Sequence, residues 1–160
     1  MKKYFLLIFF SFYSLLCFSQ YKSFSIESGL IFWKNIYENS EDLNELKTNP
    51  RIEFTSDSTG IIKKGNANPK FHQESSAEFK IEVKDERYRV SVFNIRFYNT
   101  TQISLYGVST DITDYGIEEF LIDKKGAIKT RKNQVLTMDL LDAFFLDLFT
   151  IKTQGKKDDW

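Results

Sequence analysis

The stretch from Ala77 to Val92 constrains the chain most. Ala77, Phe79, Ile81 and Val83 alternate with Glu78, Lys80, Glu82 and Lys84, the period-two pattern of a strand with one dry and one wet side. Lys84-Asp85-Glu86-Arg87 supplies a polar turn, and Tyr88, Val90 and Val92 alternate with Arg87, Arg89 and Ser91 on the return. The two runs predict an antiparallel hairpin whose wet face carries charge pairs across the ladder. Parity changes after Val92, where Phe93, Ile95 and Phe97 become the apolar positions, so either a bulge near Val92 to Asn94 or a strand end buried on both sides is expected.

The flanking sequence adds further elements. Leu30 to Tyr37 is rich in β-branched and aromatic residues and predicts the first strand. Ser40 suits a helix N-cap, Glu41 and Asp42 suit the positive end of the helix dipole, and Pro50 stops the run, giving a short helix over Glu41 to Lys47. Arg51 to Phe54 and Gly60 to Lys64 form a second expected hairpin around the polar turn Thr55 to Thr59. Ile103 to Val108 reads as a strand, Ser109 to Gly116 as a polar connection, and Glu118 to Ile122 with Ala127 to Thr130 as a last hairpin. The period then turns helical: Leu136, Leu140, Leu141, Phe144, Phe145, Leu148 and Phe149 form one stripe, with Asp139, Asp142 and Asp147 expected to face elsewhere. This dominant C-terminal helix is long enough to cover one face of a sheet. No repeat or proline-rich linker divides the chain, so residues 20–152 are expected to form a single α+β domain, followed by a polar tail over 153–160.

The start of the chain reads as an address. Lys2 and Lys3 precede an apolar run from Tyr4 to Phe18 broken only by Ser11 and Ser14, which is the plan of a cleavable signal peptide. The run is about fifteen residues, short of the roughly twenty needed to cross a bilayer core. Cys17 and Ser19 occupy the −3 and −1 positions of a cut before Gln20, so the signal is assigned to residues 1–19. The mature chain is then an exported bacterial protein of the periplasm or the extracellular space, without a stable membrane span. The alternative is a lipoprotein anchored through Cys17, although Leu16 stands where lipoprotein processing wants a small residue. Cleavage removes the only cysteine, and with it disulfides, thiolate nucleophiles and cysteine-ligated zinc. It also removes two lysines, leaving 20 basic against 22 acidic side chains and no net positive field to attract nucleic acid.

Gly29-Leu30-Ile31-Phe32-Trp33, Gly60-Ile61-Ile62-Lys63-Lys64-Gly65 and the run Phe79-Lys80-Ile81-Glu82-Val83-Lys84-Asp85-Glu86-Arg87-Tyr88-Arg89-Val90-Ser91-Val92 carry a resemblance. Over roughly Gly29 to Tyr98 the chain resembles a family of exported bacterial domains of unknown function with a TATA-binding-protein-like (TBP-like) fold. The resemblance implies a curved, mainly antiparallel sheet with helices packed on one face and the opposite face open. It brings no catalytic residue with it, and the fold's name does not by itself imply DNA binding.

Chemical motifs are sparse. The single histidine, His72, has Glu74 two residues on, but one imidazole and one carboxylate do not make a zinc site. Neither a Gly-x-Ser-x-Gly elbow nor a glycine-rich phosphate loop occurs, and no cofactor is expected. Glu118-Glu119, Asp139 with Asp142, and Asp158-Asp159 are the carboxylate pairs available for acid–base work on a glycan. Asn99-Thr100-Thr101 fits a glycosylation sequon and reads as a loop between strands. The unusual quantity is aromatic content, 26 Phe, Tyr and Trp residues in all. Trp33, Tyr37, Tyr88, Tyr98 and Tyr106 are the candidate ligand-binding residues, as amphipathic rings on an open sheet face suit a sugar, peptide or protein. The plainer role for the same rings is core and edge packing. The expectation is therefore a non-enzymatic binding module of the bacterial envelope with a protein, peptide or glycan partner. The alternative is a carboxylate-dependent enzyme acting on an envelope polymer or glycan.

Overall fold

The computed structural model describes residues 20–38, 40–69, 73–103 and 109–151. The expected signal segment 1–19, Cys17 within it, His72, Tyr106 and the tail 153–160 with Asp158-Asp159 lie outside them. Eight strands follow in order: β1 (Gln20–Tyr21), β2 (Phe24–Glu27), β3 (Leu30–Glu38), β4 (Ile52–Phe54), β5 (Thr59–Asn66), β6 (Glu74–Lys84), β7 (Arg87–Ile103) and β8 (Ser109–Gly116). A 3-10 helix, Ser40–Thr48, joins β3 to β4, and two α-helices close the described chain, α1 (Ile117–Leu121) and α2 (Lys132–Phe149). The class is α+β.

The strand β7 is the spine. Along one edge it pairs with β6, from Lys84↔Arg87 to Glu74↔Tyr98. The other edge is shared end to end. There β3 takes the first part, Glu38↔Arg87 to Trp33↔Val92, and β8 the second, Arg96↔Gly116 to Ile103↔Ser109. The order across the sheet is β1-β2-β3-β7-β6-β5-β4, with β8 added on β7, and all the pairings are antiparallel.

The expected hairpin forms with a two-residue turn, Asp85-Glu86, in which Asp85 takes φ 56°. Of the two alternatives at the parity change, the bulge is present. Register slips between Ser76 and Glu78 of β6, opposite Phe93 to Arg96 of β7, and Asn94 adopts φ 50°, a left-handed conformation that asparagine tolerates better than most residues. The extra residue is what keeps Tyr88, Val90 and Val92 on the same dry face as Ile95 and Phe97, all of them buried. A second slip, between Ile62 and Gly65 of β5, faces the edge where the Arg51 guanidinium donates to the Gly65 and Asn66 carbonyls.

Helix α2 seals the dry face. Met138, Leu141, Phe145 and Phe149 are fully buried with Phe24, Ile31, Trp33, Phe79 and Tyr88. The Trp33 ring lies 5.3 Å from Phe145 and 6.5 Å from Phe149, and Phe79 sits edge-on between Phe54 and Phe149, 5.2 Å from each. Each such side chain withdrawn from water stabilises the fold by about 1.5–3 kcal/mol before entropy is subtracted.

Several segments differ from the sequence expectation. Ser109–Gly116, read as a polar connection, is strand β8: β7 runs past the end of β3 and leaves an edge of backbone donors and acceptors that a polar segment satisfies as well as an apolar one. For the same reason Asn99-Thr100-Thr101 is strand rather than loop. Glu118–Ile122 does not form a strand. Ile117 and Leu121, four apart, are both buried from helix α1, and Ile122↔Ile128 is the isolated bridge left where a hairpin was expected. Glu41 to Lys47 is helical but wound as the 3-10 helix Ser40–Thr48. The expected strand Ile103 to Val108 is represented by Ile103, the last residue of β7, and residues 104–108 lie outside the described chain.

Candidate functional site: the two faces of the sheet

Alternation along β3, β6 and β7 gives the sheet two chemically distinct faces. On the dry face the polar groups of the aromatic side chains are spent on α2. Trp33 Nε1–H donates to Asp142 Oδ1 at 2.8 Å, and the Tyr88 hydroxyl donates to the Phe149 carbonyl at 2.6 Å. The Tyr37 ring stacks on Tyr88 at 4.9 Å, and its hydroxyl reaches the Phe145 carbonyl at 3.3 Å. Burial disfavours the phenolates, pushing Tyr88 up to about 12 and Tyr37 well above its ordinary value. Nearer the sheet edge Asp139 accepts from the Tyr21 hydroxyl at 3.0 Å and pairs with Lys22 at 2.7 Å. The Lys22 ammonium holds the Asp139 carboxyl below the usual carboxylate range.

These contacts correct two expectations. Trp33 and Tyr88 are buried at 0% and 1% exposure under α2, with Tyr37 half-buried beside them, so their rings pack in the core, although Tyr88 also borders a surface depression. An indole or phenol next to a helix carbonyl or carboxylate can bury its whole ring because its single polar atom is paired. Asp139 and Asp142 do not face away either, as they bind the strands beneath the helix. Glu118 Oε1 accepts the Ile31 N–H at 3.0 Å, and Glu119 Oε1 accepts the Gly116 N–H at 3.4 Å. The described carboxylate pairs are thus engaged in fastening helices to strands.

Of the five candidate rings, Tyr98 is the described one on the wet face. Its hydroxyl lies 3.0 Å from Ser76 Oγ, and the Lys64 ammonium sits 4.5 Å from its ring centroid and 3.1 Å from Glu74. The rest of that face is a ladder of paired charges. Arg89 and Lys80 both bind Glu82, at 2.6 Å and 3.2 Å, and keep its carboxyl below the usual range. Lys34 binds Glu27 at 2.5 Å, Asn94 donates to Glu78 at 2.7 Å, and Arg96 pairs with Asp114.

Set into this ladder is an apolar path that the sequence reading missed. Phe32 and Phe93 meet across β3 and β7 at 5.5 Å, with the Lys34 ammonium 5.1 Å from the Phe32 centroid. Four residues along β3 from Phe32, Ile36 is 60% exposed. Beside it lies a depression of about 370 Å³ lined by Ile36, Glu82, Lys84, Arg87, Tyr88 and Arg89. The signal for this path was present in the parity of Leu30-Ile31-Phe32-Trp33: four apolar residues in a row on a strand must put two on the wet side.

Among the described residues no cluster of His, Cys, Asp and Glu could hold a metal ion. No described helix is long and apolar enough to cross a membrane. No family model matches the chain, and no curated protein matches its sequence. Its fold is similar to a solved structure described as a TBP-like protein from Parabacteroides distasonis, with a TM-score of 0.47 and 15% sequence identity, over 78% of this chain and 90% of that one. That likeness concerns the fold and assigns no ligand or partner.

Proposed function

We propose that the mature chain is an exported, non-enzymatic binding module of the bacterial envelope that offers the wet face of its sheet to a protein, peptide or glycan. The observation that carries this reading is the contrast on β3: Ile31 and Trp33 are buried under α2, whereas Ile36 stays 60% exposed beside a depression ringed by charges. Recognition surfaces set an apolar centre within a polar rim, and on this face Ile36 and the Phe32–Phe93 pair supply the apolar part among paired charges. The structural duties of Glu118, Glu119, Asp139 and Asp142 support the non-enzymatic half of the proposal. Export rests on the plan of residues 1–19.

The test is site-specific photocrosslinking in the producing cell, with a photoreactive amino acid at position 36 on the wet face or at Leu136, which is 55% exposed on α2. A discrete adduct from position 36 and none from position 136 is expected, in the periplasmic or extracellular fraction. Adducts of equal yield from both positions contradict a dedicated face. Mass spectrometry of the same material is expected to find Gln20 at the N-terminus, and a diacylated Cys17 would replace the soluble form by the lipoprotein.

A further inference from the structure

A sheet that does not close has edges, and an edge strand offers its backbone donors and acceptors to any other strand that arrives. At one end of this sheet stands β4, only three residues long, against the eight of its neighbour β5. The ladder between them ends at Ile52↔Ile62, with one further bond from the Lys63 N–H to the Arg51 carbonyl. The Gly65–Asn66 end of β5 therefore runs on past β4, with β6 as its strand neighbour on the other side. That overhang is closed by the chain itself. The Arg51 guanidinium donates to the Asn66 carbonyl at 3.1 Å and to the Gly65 carbonyl at 3.3 Å, and the Ile52 N–H closes back on the Asn49 carbonyl at 3.0 Å.

For the arginine this placement is not favourable in itself. Its side chain is half-buried beside Phe144, whose ring centroid lies 5.3 Å away, and its Nε is buried without an acceptor. Glu74 is the carboxylate that acts on it through space, and Glu74 binds Lys64. Burial holds the guanidinium below its ordinary value, and its acceptors are two neutral carbonyls. Water would satisfy those carbonyls nearly as well, since exchanging a hydrogen bond with water for one within the protein gains little. What water cannot do is deny them to another strand. Gly65 belongs to the same device: a Cβ there would overlap the guanidinium Nη1, so the arginine can lie along the edge only because the strand carries no side chain at that point. We infer that Arg51 is an edge guard, which occupies the Gly65 and Asn66 carbonyls in place of a strand and keeps the β4–β5 edge of one copy from pairing with the same edge of a second. Two identical edges meet antiparallel about a twofold axis, so the association it prevents is a closed, isologous dimer that continues the sheet. The inference stands independently of export and of any ligand on the wet face.

The test is sedimentation velocity over a range of protein concentrations, with hydrogen exchange to locate any contact. The unsubstituted protein is expected to keep the mass of one chain throughout. Arg51→Met leaves an apolar side chain beside Phe144 and removes the donors. Its mass is expected to rise about twofold with concentration, with added protection from exchange confined to β4 and residues 64–66. Gly65→Ala is the second variant: it retains the arginine but pushes the flexible end of its side chain off the carbonyls, and it is expected to associate in the same way. Unchanged exchange in the β6–β7 hairpin identifies a variant as folded. The inference is overturned if the folded variants keep the mass of one chain, if the unsubstituted protein already associates through this edge, or if the added protection lies elsewhere. It is also overturned if both variants lose the protection of the hairpin, because Arg51 would then be holding the fold and not guarding its edge.

Discussion

The dry and wet faces of the sheet are made by the same strands and differ in how their polar atoms are satisfied. Under α2, the aromatic polar atoms are held by partners on the helix: Trp33 by Asp142, Tyr88 by the Phe149 carbonyl, Tyr37 by the Phe145 carbonyl. On the wet face Glu82 shares itself between Arg89 and Lys80, and all three side chains keep roughly 40–50% of their exposure. The first arrangement excludes water and is intolerant of change, because any lost partner leaves a buried donor or acceptor unpaired. The second is screened, exchangeable and open to replacement by a ligand's groups. One strand can therefore support the fold with its odd-numbered residues and leave even-numbered ones at the surface, as β3 does through Trp33 and Ile36.

The comparison breaks most sharply at Phe79. Phe79→Ala removes the ring wedged between Phe54 and Phe149 and is expected to cost about 3–5 kcal/mol in urea unfolding. A smaller loss follows from crowding the same place. A Cβ on Gly60 would lie 2.3 Å from the Glu53 carbonyl oxygen and 2.5 Å from the Phe79 ring, so Gly60→Ala is expected to cost about 1–3 kcal/mol. Asp142→Ala leaves the indole N–H of Trp33 without its acceptor and is expected to cost about 1–3 kcal/mol as well, with Asp142→Asn recovering part of it. That ordering is checked in one denaturation series.

Alkaline titration sharpens the contrast. Because burial raises the folded-state value of Tyr88 to about 12, the folded state holds its proton where the unfolded chain, near 10, has lost it. The stability linked to this group is complete below pH 10 and declines as pH rises toward 12. Tyr88→Phe is expected to flatten that decline, read from thermal midpoints across the range, and an unchanged slope would contradict the burial account. At the bottom of the scale, Glu82→Gln disconnects Arg89 and Lys80 on the wet face and is expected to leave the unfolding midpoint unmoved at moderate salt.

How much of this was legible in the sequence follows from the kind of signal each element emits. The β6–β7 hairpin and its bulge were readable because burial on one side only imprints a period of two, and a change of parity at Val92 to Asn94 records the extra residue. Helix α2 was readable for the corresponding reason at period 3.6. Strand β8 was not, since Ser109–Gly116 is recruited by an unpaired backbone edge and backbone pairing leaves little trace in side-chain pattern. Helix α1 was missed because a five-residue helix shows barely more than one turn of period. The rings singled out as a binding surface were a harder case. Trp33, Tyr37 and Tyr88 share parity with the dry positions Ile31, Val90 and Val92, so alternation alone assigns them to the core. Their polar atoms suggested the wet side, and only the structure supplies the helix partners that make burial acceptable. Phe32 and Ile36 follow the opposite parity, and the same rule would have placed them on the wet face, whereas Phe93 shares its parity with the dry Ile95 and Phe97 and lies on the wet face because the extra residue of β7 follows it.

The division of labour between the faces is tested most directly by a matched pair on one strand. Ile31 and Ile36 are the same residue on β3, the first fully buried and the second 60% exposed. Urea unfolding of Ile31→Ser and Ile36→Ser measures what each face contributes. A loss of about 2–5 kcal/mol for Ile31→Ser, against less than about 0.5 kcal/mol for Ile36→Ser, is the predicted result. Comparable losses at the two positions would contradict it, because Ile36 would then be holding the fold together and would not be left over for recognition.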